Sequence, residues 1–233
     1  MEPAYFAQRC GAHCFYTPSK AGLSAIQSEH WQAVLADPSR SEADQQTALK
    51  AWVREYLKLT TYEISCPALR DPALAPVAKT GVIVSTLMDY RLVKAIDKAG
   101  WYRAFKGLCE EQILLVLENS VFPGVTEQVE QRFSSSPLTI EQLTGNMDGA
   151  ITGWAFADEA KARKLPAVNV FRKIAKTIKT PLPQIYQAGQ WTFSPSGLPV
   201  SILTGKLAAD RVIKQLEKQG RSSQTKDERG VSR

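Results

Sequence analysis

Ile185-Tyr186-Gln187-Ala188-Gly189-Gln190-Trp191-Thr192-Phe193-Ser194-Pro195-Ser196-Gly197-Leu198-Pro199 is the stretch on which the reading of this chain turns. Gln184 to Gly189 reads as a strand that stops at glycine, and Gln190 to Gly197 as a loop. Pro199 stands where the first turn of a helix tolerates an imino acid. The helix is expected from Pro199 to about Gln219, with Ile202, Leu203, Leu207, Val212, Ile213 and Leu216 on its apolar face and Gly220 ending it. A glycine at the carboxyl end of a strand lets a ligand touch the backbone, because no Cβ stands in the way. A glycine ahead of a helix leaves the first-turn amides exposed. Those donors and the positive end of the helix dipole stabilise an anionic or electron-rich group. Gly205, one turn further in, is small enough for close approach of a strand or ligand. The same pattern also fits a plain turn whose glycines serve geometry alone.

Upstream, the elements follow from periodicity and punctuation. His13 to Thr17 is a short aromatic strand closed by Pro18, and Thr61 to Cys66 is a second one stopped by Pro67. Between them Ser41 to Leu59 reads as a helix capped by Ser41, with Leu49, Trp52, Val53, Tyr56 and Leu57 on one face. Arg70 to Pro76 holds two prolines and is expected as a loop, and Gly81 to Met88 as a buried strand. Helices are expected at Tyr90–Lys98 and Trp101–Ser120, separated by Gly100, the second with Phe105, Leu108, Ile113, Leu114 and Leu117 as its stripe. Thr126 to Phe133 reads as a polar strand. A short helix begins at Thr139, with Thr139 and Gln142 as its capping box, and Thr144 to Gly153 is a glycine-rich loop. Leu165 to Lys179 carries no assignment. Arg221 to Arg233 is polar, charged and aperiodic, which by composition reads as a disordered, solvated tail.

Ala188-Gly189-Gln190-Trp191, Gly197-Leu198-Pro199 and Leu203-Thr204-Gly205-Lys206-Leu207-Ala208-Ala209 together resemble the carboxy-terminal flavin motif of phytoene desaturase-like enzymes. That group includes carotenoid isomerases and retinol saturases and lies within the flavin amine oxidase superfamily. Weaker likenesses run upstream through Ser136-Pro137-Leu138-Thr139, Thr144-Gly145-Asn146 and Gly149 to Trp154, and through Asp71-Pro72, Ala75-Pro76 and Gly81 to Leu87. The resemblance implies a mixed α/β chain in three parts. Residues 1–135 would be a substrate-binding region, 136–220 the carboxy-terminal part of an FAD-binding domain, and 221–233 the tail. It implies that Gly189, Gln190, Trp191, Gly197, Leu198 and Pro199 touch FAD, with Gln190 as a neutral hydrogen-bonding residue where an acid is common. It also implies hydride transfer between the flavin and a lipophilic alkene or polyene, as in desaturation, saturation or isomerisation of carotenoid- or retinoid-like substrates. Trp154 and Trp191 either line an apolar pocket or pack a core.

Enzymes of that family hold the ADP end of FAD on a βαβ unit with G-x-G-x-x-G, and no such motif occurs in the 233 residues. The expectation is therefore a truncated product, a start set too late, or a half completed by a partner chain. FAD would be bound firmly only when that segment is supplied. The alternative is a non-catalytic remnant or subunit that binds a partner chain or a lipophile.

Composition bounds the rest. Hydrophobic residues make up 44% and charged ones 22%, as in an ordinary globular protein with a core. A net charge of +6 is mildly basic and too small to imply nucleic acid. No apolar run approaches the roughly 20 residues of a membrane span, and Met1 to Arg9 has no secretory core, so a cytoplasmic protein with at most peripheral membrane contact is expected. Cys10, Cys14, Cys66 and Cys109 form no disulfide framework. Cys10-x-x-His13-Cys14 lacks a second ligand pair, so structural or incidental thiols are expected rather than zinc. His13 and His30 are expected as structural or surface residues.

Overall fold

The computed structural model describes residues 3–26, 30–151, 153, 174, 176–193 and 197–230, the side chains of 24, 25 and 220–230 excepted. The chain divides into two compact units, 1–149 and 150–233. Helices and one small antiparallel sheet make up the first unit: α1 (Pro3–Arg9), β1 (His13–Tyr16), α2 (His30–Ala36), α3 (Glu42–Leu59), β2 (Tyr62–Ser65), β3 (Ile83–Ser85), α4 (Tyr90–Lys98), α5 (Tyr102–Glu118) and α6 (Pro137–Thr144).

Helix α3 starts where its cap dictates. The Ser41 hydroxyl accepts the Asp44 N–H at 3.2 Å and donates to the Asp44 carboxylate at 2.7 Å, while Glu42 and Asp44 place negative charge in the first turn. Its stripe of Leu49, Trp52, Val53, Tyr56 and Leu57 is buried against Trp31 and Val34 of α2, Leu92, Val93 and Ile96 of α4, and Trp101 and Phe105. Trp52 and Tyr56 stack at 5.1 Å. Each fully buried aliphatic side chain here contributes about 1.5–3 kcal/mol. The unit has a second core, in which Phe6 of α1, Tyr62, Ile64 and Cys66 meet Val116, Leu117, Phe122 and Val125. Ile113 of α5 packs against both cores, so α5 is the element that joins them.

The sheet order is β1-β2-β3, with Cys14 opposite Ile64 and Ile64 opposite Val84. Tyr62 and Ile64 face the core, while Glu63 faces outward and pairs with His13 at 2.8 Å. The expected buried strand at Gly81–Met88 is instead a three-residue edge strand. Val82, Val84, Thr86 and Met88 are half-buried, whereas Ile83 is 55% exposed. An apolar run suggests two covered faces, but this strand pairs on one side and is covered on one face.

Two further expectations change. Thr126 to Phe133 forms no strand: Thr126–Gln128 is a 3-10 turn, and Phe133 is exposed. The donors a ladder would need go elsewhere, since the Glu118 carboxylate accepts the N–H of Gly124 at 2.6 Å and of Thr126 at 2.8 Å. These two backbone bonds hold the Glu118 carboxyl below the usual glutamate range. Helix α6 begins at Pro137 rather than Thr139. Ser136 is the cap, Thr139 occupies the third helical position, and the two complete the capping box between them. Tyr102 bonds the Ser136 and Thr139 hydroxyls at 2.6 and 3.1 Å, and Tyr90 donates to Glu141 at 2.8 Å. Those contacts fasten 136–144 to α4 and α5, so this segment belongs to the first compact unit.

In the second unit the dominant element is α7 (Leu198–Gly230). It runs through Gly220 and into the segment expected as a disordered tail. A lone interior glycine costs a helix about 1 kcal/mol, and Arg221 to Glu228 supplies Arg, Gln, Lys and Glu with no proline to stop propagation.

Candidate functional site

The approach to the glycine turn is built by Thr180 and a single bridge. Lys179 pairs antiparallel with Tyr186, and the Gln187 N–H donates to the Ile178 carbonyl at 2.9 Å. Ile174 and Ile178 are buried. The expected strand from Gln184 to Gly189 shrinks to this bridge. Pro181 and Pro183 lack ladder donors, and Gln184 takes a left-handed φ of 65°. The Thr180 hydroxyl closes the intervening turn, 2.9 Å from the Ile185 carbonyl and accepting the Leu182 N–H at 3.2 Å.

Gly189 has φ 100°, and a Cβ placed there would meet nothing within 4 Å. The turn therefore needs glycine for its backbone conformation and leaves open space beside it. Its N–H donates to the Thr204 hydroxyl at 3.0 Å, and its carbonyl accepts the Thr192 N–H at 3.1 Å. Thr204 is completely buried, and its hydroxyl donates to the Ser201 carbonyl at 3.0 Å. One hydroxyl thus pins the glycine turn to the second turn of α7. From the other side Gly153 backs directly onto Gln190. A Cβ at Gly153 would lie 1.9 Å from the Gln190 carbonyl oxygen, so nothing larger than glycine fits that approach.

Helix α7 opens as the spacing of Gly197 and Pro199 implies. Gly197 has φ 154°, and its carbonyl accepts both the Ser201 N–H at 2.9 Å and the Ser201 hydroxyl at 3.0 Å. Pro199 has no N–H, so the amides of Leu198 and Val200 are the first-turn donors without an intrahelical acceptor. Leu198 is 75% exposed and Pro199 is exposed as well. Gln190 and Trp191 are half-buried. The structure thus ties Gly189 to the helix that Gly197, Leu198 and Pro199 begin. Residues 194–196 and Trp154 lie outside the described residues. Thr204 is the residue that sequence reasoning overlooked; its signal was a hydroxyl between Leu203 and Leu207 on the expected apolar face.

The chemistry available at this turn is that of backbone dipoles. Two turns into α7 Lys206 pairs with Asp210 at 2.7 Å, and that hydrogen bond holds the Asp210 carboxyl below its usual range. Further along α7, Tyr186, Arg211, Lys214, Gln215, Glu217 and Lys218 line an open groove of about 380 Å³, where Tyr186 donates to Gln215 at 2.8 Å. Arg211 is 13 residues past Leu198, which at about 1.5 Å per residue puts this groove roughly 20 Å from the helix start.

The apolar face expected on α7 is only partly covered. Ile202, Val212, Ile213 and Leu216 are exposed, Leu216 by 60%, while Leu203 and Leu207 are half-buried. His13 lies on the outward side of the sheet against Glu63, and His30 opens α2 at the surface. Among the described residues no group of three or more His, Cys, Asp or Glu is arranged to hold a metal ion, and no helix is long and apolar enough to cross a membrane. No protein-family model, curated protein or solved structure matches this chain.

Proposed function

We propose that this chain is the carboxy-terminal part of an FAD-dependent oxidoreductase acting on a lipophilic alkene or polyene, and that the turn from Gly189 to Pro199 borders the flavin ring. The observation that carries the reading is the open space beside Gly189, held at the start of α7 by the Thr204 hydroxyl. A ligand reaching that space meets backbone rather than side chain. The first-turn amides of Leu198 and Val200 favour an electron-rich edge, and the pyrimidine side of a flavin gains negative charge on reduction. Bound flavin supplies hydride chemistry; this chain's share is to position the ring and to donate hydrogen bonds to it. Gln190 would contribute a neutral contact, and Trp191 a flat apolar surface. The pyrophosphate and adenosine contacts would come from a segment or partner chain carrying the nucleotide fold, so the chain by itself should bind flavin weakly.

Riboflavin, which is the ring without the ADP end, is the suitable probe. Amide resonances of Gly189, Leu198 and Val200 should move on titration with riboflavin, with Gly189→Val reducing the affinity at least about tenfold by filling the open space. Unmoved resonances at saturating riboflavin would remove the proposal.

A second reading rests on the uncovered side chains Leu198, Ile202, Val212, Ile213 and Leu216, a surface suited to a non-catalytic subunit that binds a partner chain. Self-association or partner capture that survives Gly189→Val and is lost with Ile213→Lys would favour it.

A further inference from the structure

Cys66 lies 52 residues beyond Cys14 and 56 beyond Cys10, yet the fold of the first unit gathers all three. Cys14 stands opposite Ile64 in the β1–β2 ladder, so Cys66, two residues on from Ile64, lies on the same sheet face. The ladder runs one step beyond β1, where the Cys66 N–H donates to the Ala12 carbonyl at 3.0 Å. That step fixes Cys66 beside the turn that leads out of α1. Cys10 sits in that turn, its N–H bonded to the Phe6 carbonyl at 2.9 Å and its sulfur 3.2 Å from the Gly11 carbonyl. All three cysteines pack into the core of Phe6, Tyr62, Ile64 and Phe122. Cys10 stands two residues before Ala12, the backbone partner of Cys66, and shares one core with Cys66 and Cys14. Cys66 is fully buried, while Cys10 and Cys14 are reachable from solvent. Cys109 belongs to the other core.

We propose that Cys10 and Cys66 are a redox-modifiable pair, which a hydroperoxide converts into a disulfide joining the α1 turn to the end of β2. The Cys10 thiolate attacks the outer peroxide oxygen; the O–O bond breaks, water or alcohol leaves after protonation, and Cys10 becomes a sulfenic acid. The Cys66 sulfur then attacks the Cys10 sulfur, the S–O bond breaks and a second water leaves. Two thiols have lost two electrons and two protons, and the peroxide has taken up both. The fold favours the second step, because the resolving sulfur is held in the same core as the first. Burial sets the tempo of the first. It pushes the Cys10 thiol up to about 11, with neighbouring Cys66 adding to the effect, so little thiolate exists at neutral pH. The pair therefore closes under sustained oxidant and opens to an added dithiol, and it does not act as a rapid sensor.

The reduced full chain is treated with hydrogen peroxide at pH 7 and at pH 9, blocked with N-ethylmaleimide and mapped by non-reducing peptide mass spectrometry. The expected product is monomeric, lighter by two hydrogens, and linked Cys10 to Cys66. It should form about a hundredfold faster at pH 9, since thiolate grows about tenfold per pH unit well below the pKa. Cys10→Ser should abolish it and Cys109→Ser should leave it intact. Four free thiols after treatment at pH 9, a Cys10–Cys14 link, a link through Cys109, or products that are only intermolecular would each overturn the assignment. Cys66→Ser buries a hydroxyl in the core and is not needed for the decision, because the peptide map identifies the partner directly.

Discussion

Helix α3 lays Leu49, Trp52, Val53, Tyr56 and Leu57 beneath α2, α4 and α5, whereas α7 holds Leu198, Ile202, Val212, Ile213 and Leu216 out to solvent. Both helices carry apolar residues at helical spacing, so the pattern alone does not separate them. The difference lies in what surrounds each one. Residues 30–118 supply three more helices with apolar faces of their own, and mutual burial removes all those faces from water. Around α7 the described residues offer one bridge and one turn, and of its apolar face Leu203 and Leu207 are only half-buried, with Thr204 beside them buried. This exposed α7 face is what the partner-binding reading rests on, whereas the flavin reading rests on the space beside Gly189.

The largest expected effect lies in the well-covered helix. Leu57→Ala deletes a fully buried side chain from the α3 core and should destabilise the first unit by about 2–5 kcal/mol in urea unfolding followed by tryptophan fluorescence. A loss below about 1 kcal/mol would mean that this core is looser than its packing implies. Next comes the hinge of the candidate site. Thr204→Val removes the acceptor of the Gly189 N–H at a buried position and should cost about 1–3 kcal/mol. Amide exchange would accelerate at Gly189 and Thr192 and stay unchanged in α3. Ser136→Ala takes away the α6 cap and a Tyr102 partner, for about 1 kcal/mol, seen as a lower thermal midpoint of the first unit only. The smallest effect sharpens the comparison most. Leu216→Ala should change stability by no more than about 0.5 kcal/mol, because the side chain is already largely exposed. A loss as large as that of Leu57→Ala would show that the α7 face is covered in solution.

Legibility followed the physics of each element. The α3 cap at Ser41 and its five core residues, the α4 bounds and the β2 strand were all readable, because each is fixed by neighbours within about two turns of sequence. The α6 cap stands three residues ahead of the expected one, at Ser136 rather than Thr139; both residue types can cap, and in the structure the two complete one capping box whose hydroxyls both meet Tyr102. Val82 to Val84 looked like a two-sided core strand, and which face is covered depends on α1 and α5, far away in sequence. At the candidate site the glycines at 189 and 197 and the proline at 199 were visible as punctuation. Thr204, which fastens them, was not.

The order of residues by itself determined where helices α3, α4 and α5 start and stop, where β1 and β2 lie, and where the backbone must turn at Gly189 and Gly197. Caps, proline, glycine and helical spacing act through the local chain and need no partner. Tertiary structure alone decided which apolar faces are buried, that Thr204 grips Gly189, and that Cys10, Cys14 and Cys66 share one core. Those outcomes depend on contacts between separate segments, from 15 residues apart at Gly189 and Thr204 to more than fifty at Cys10 and Cys66, where the gain is set by whichever surfaces meet.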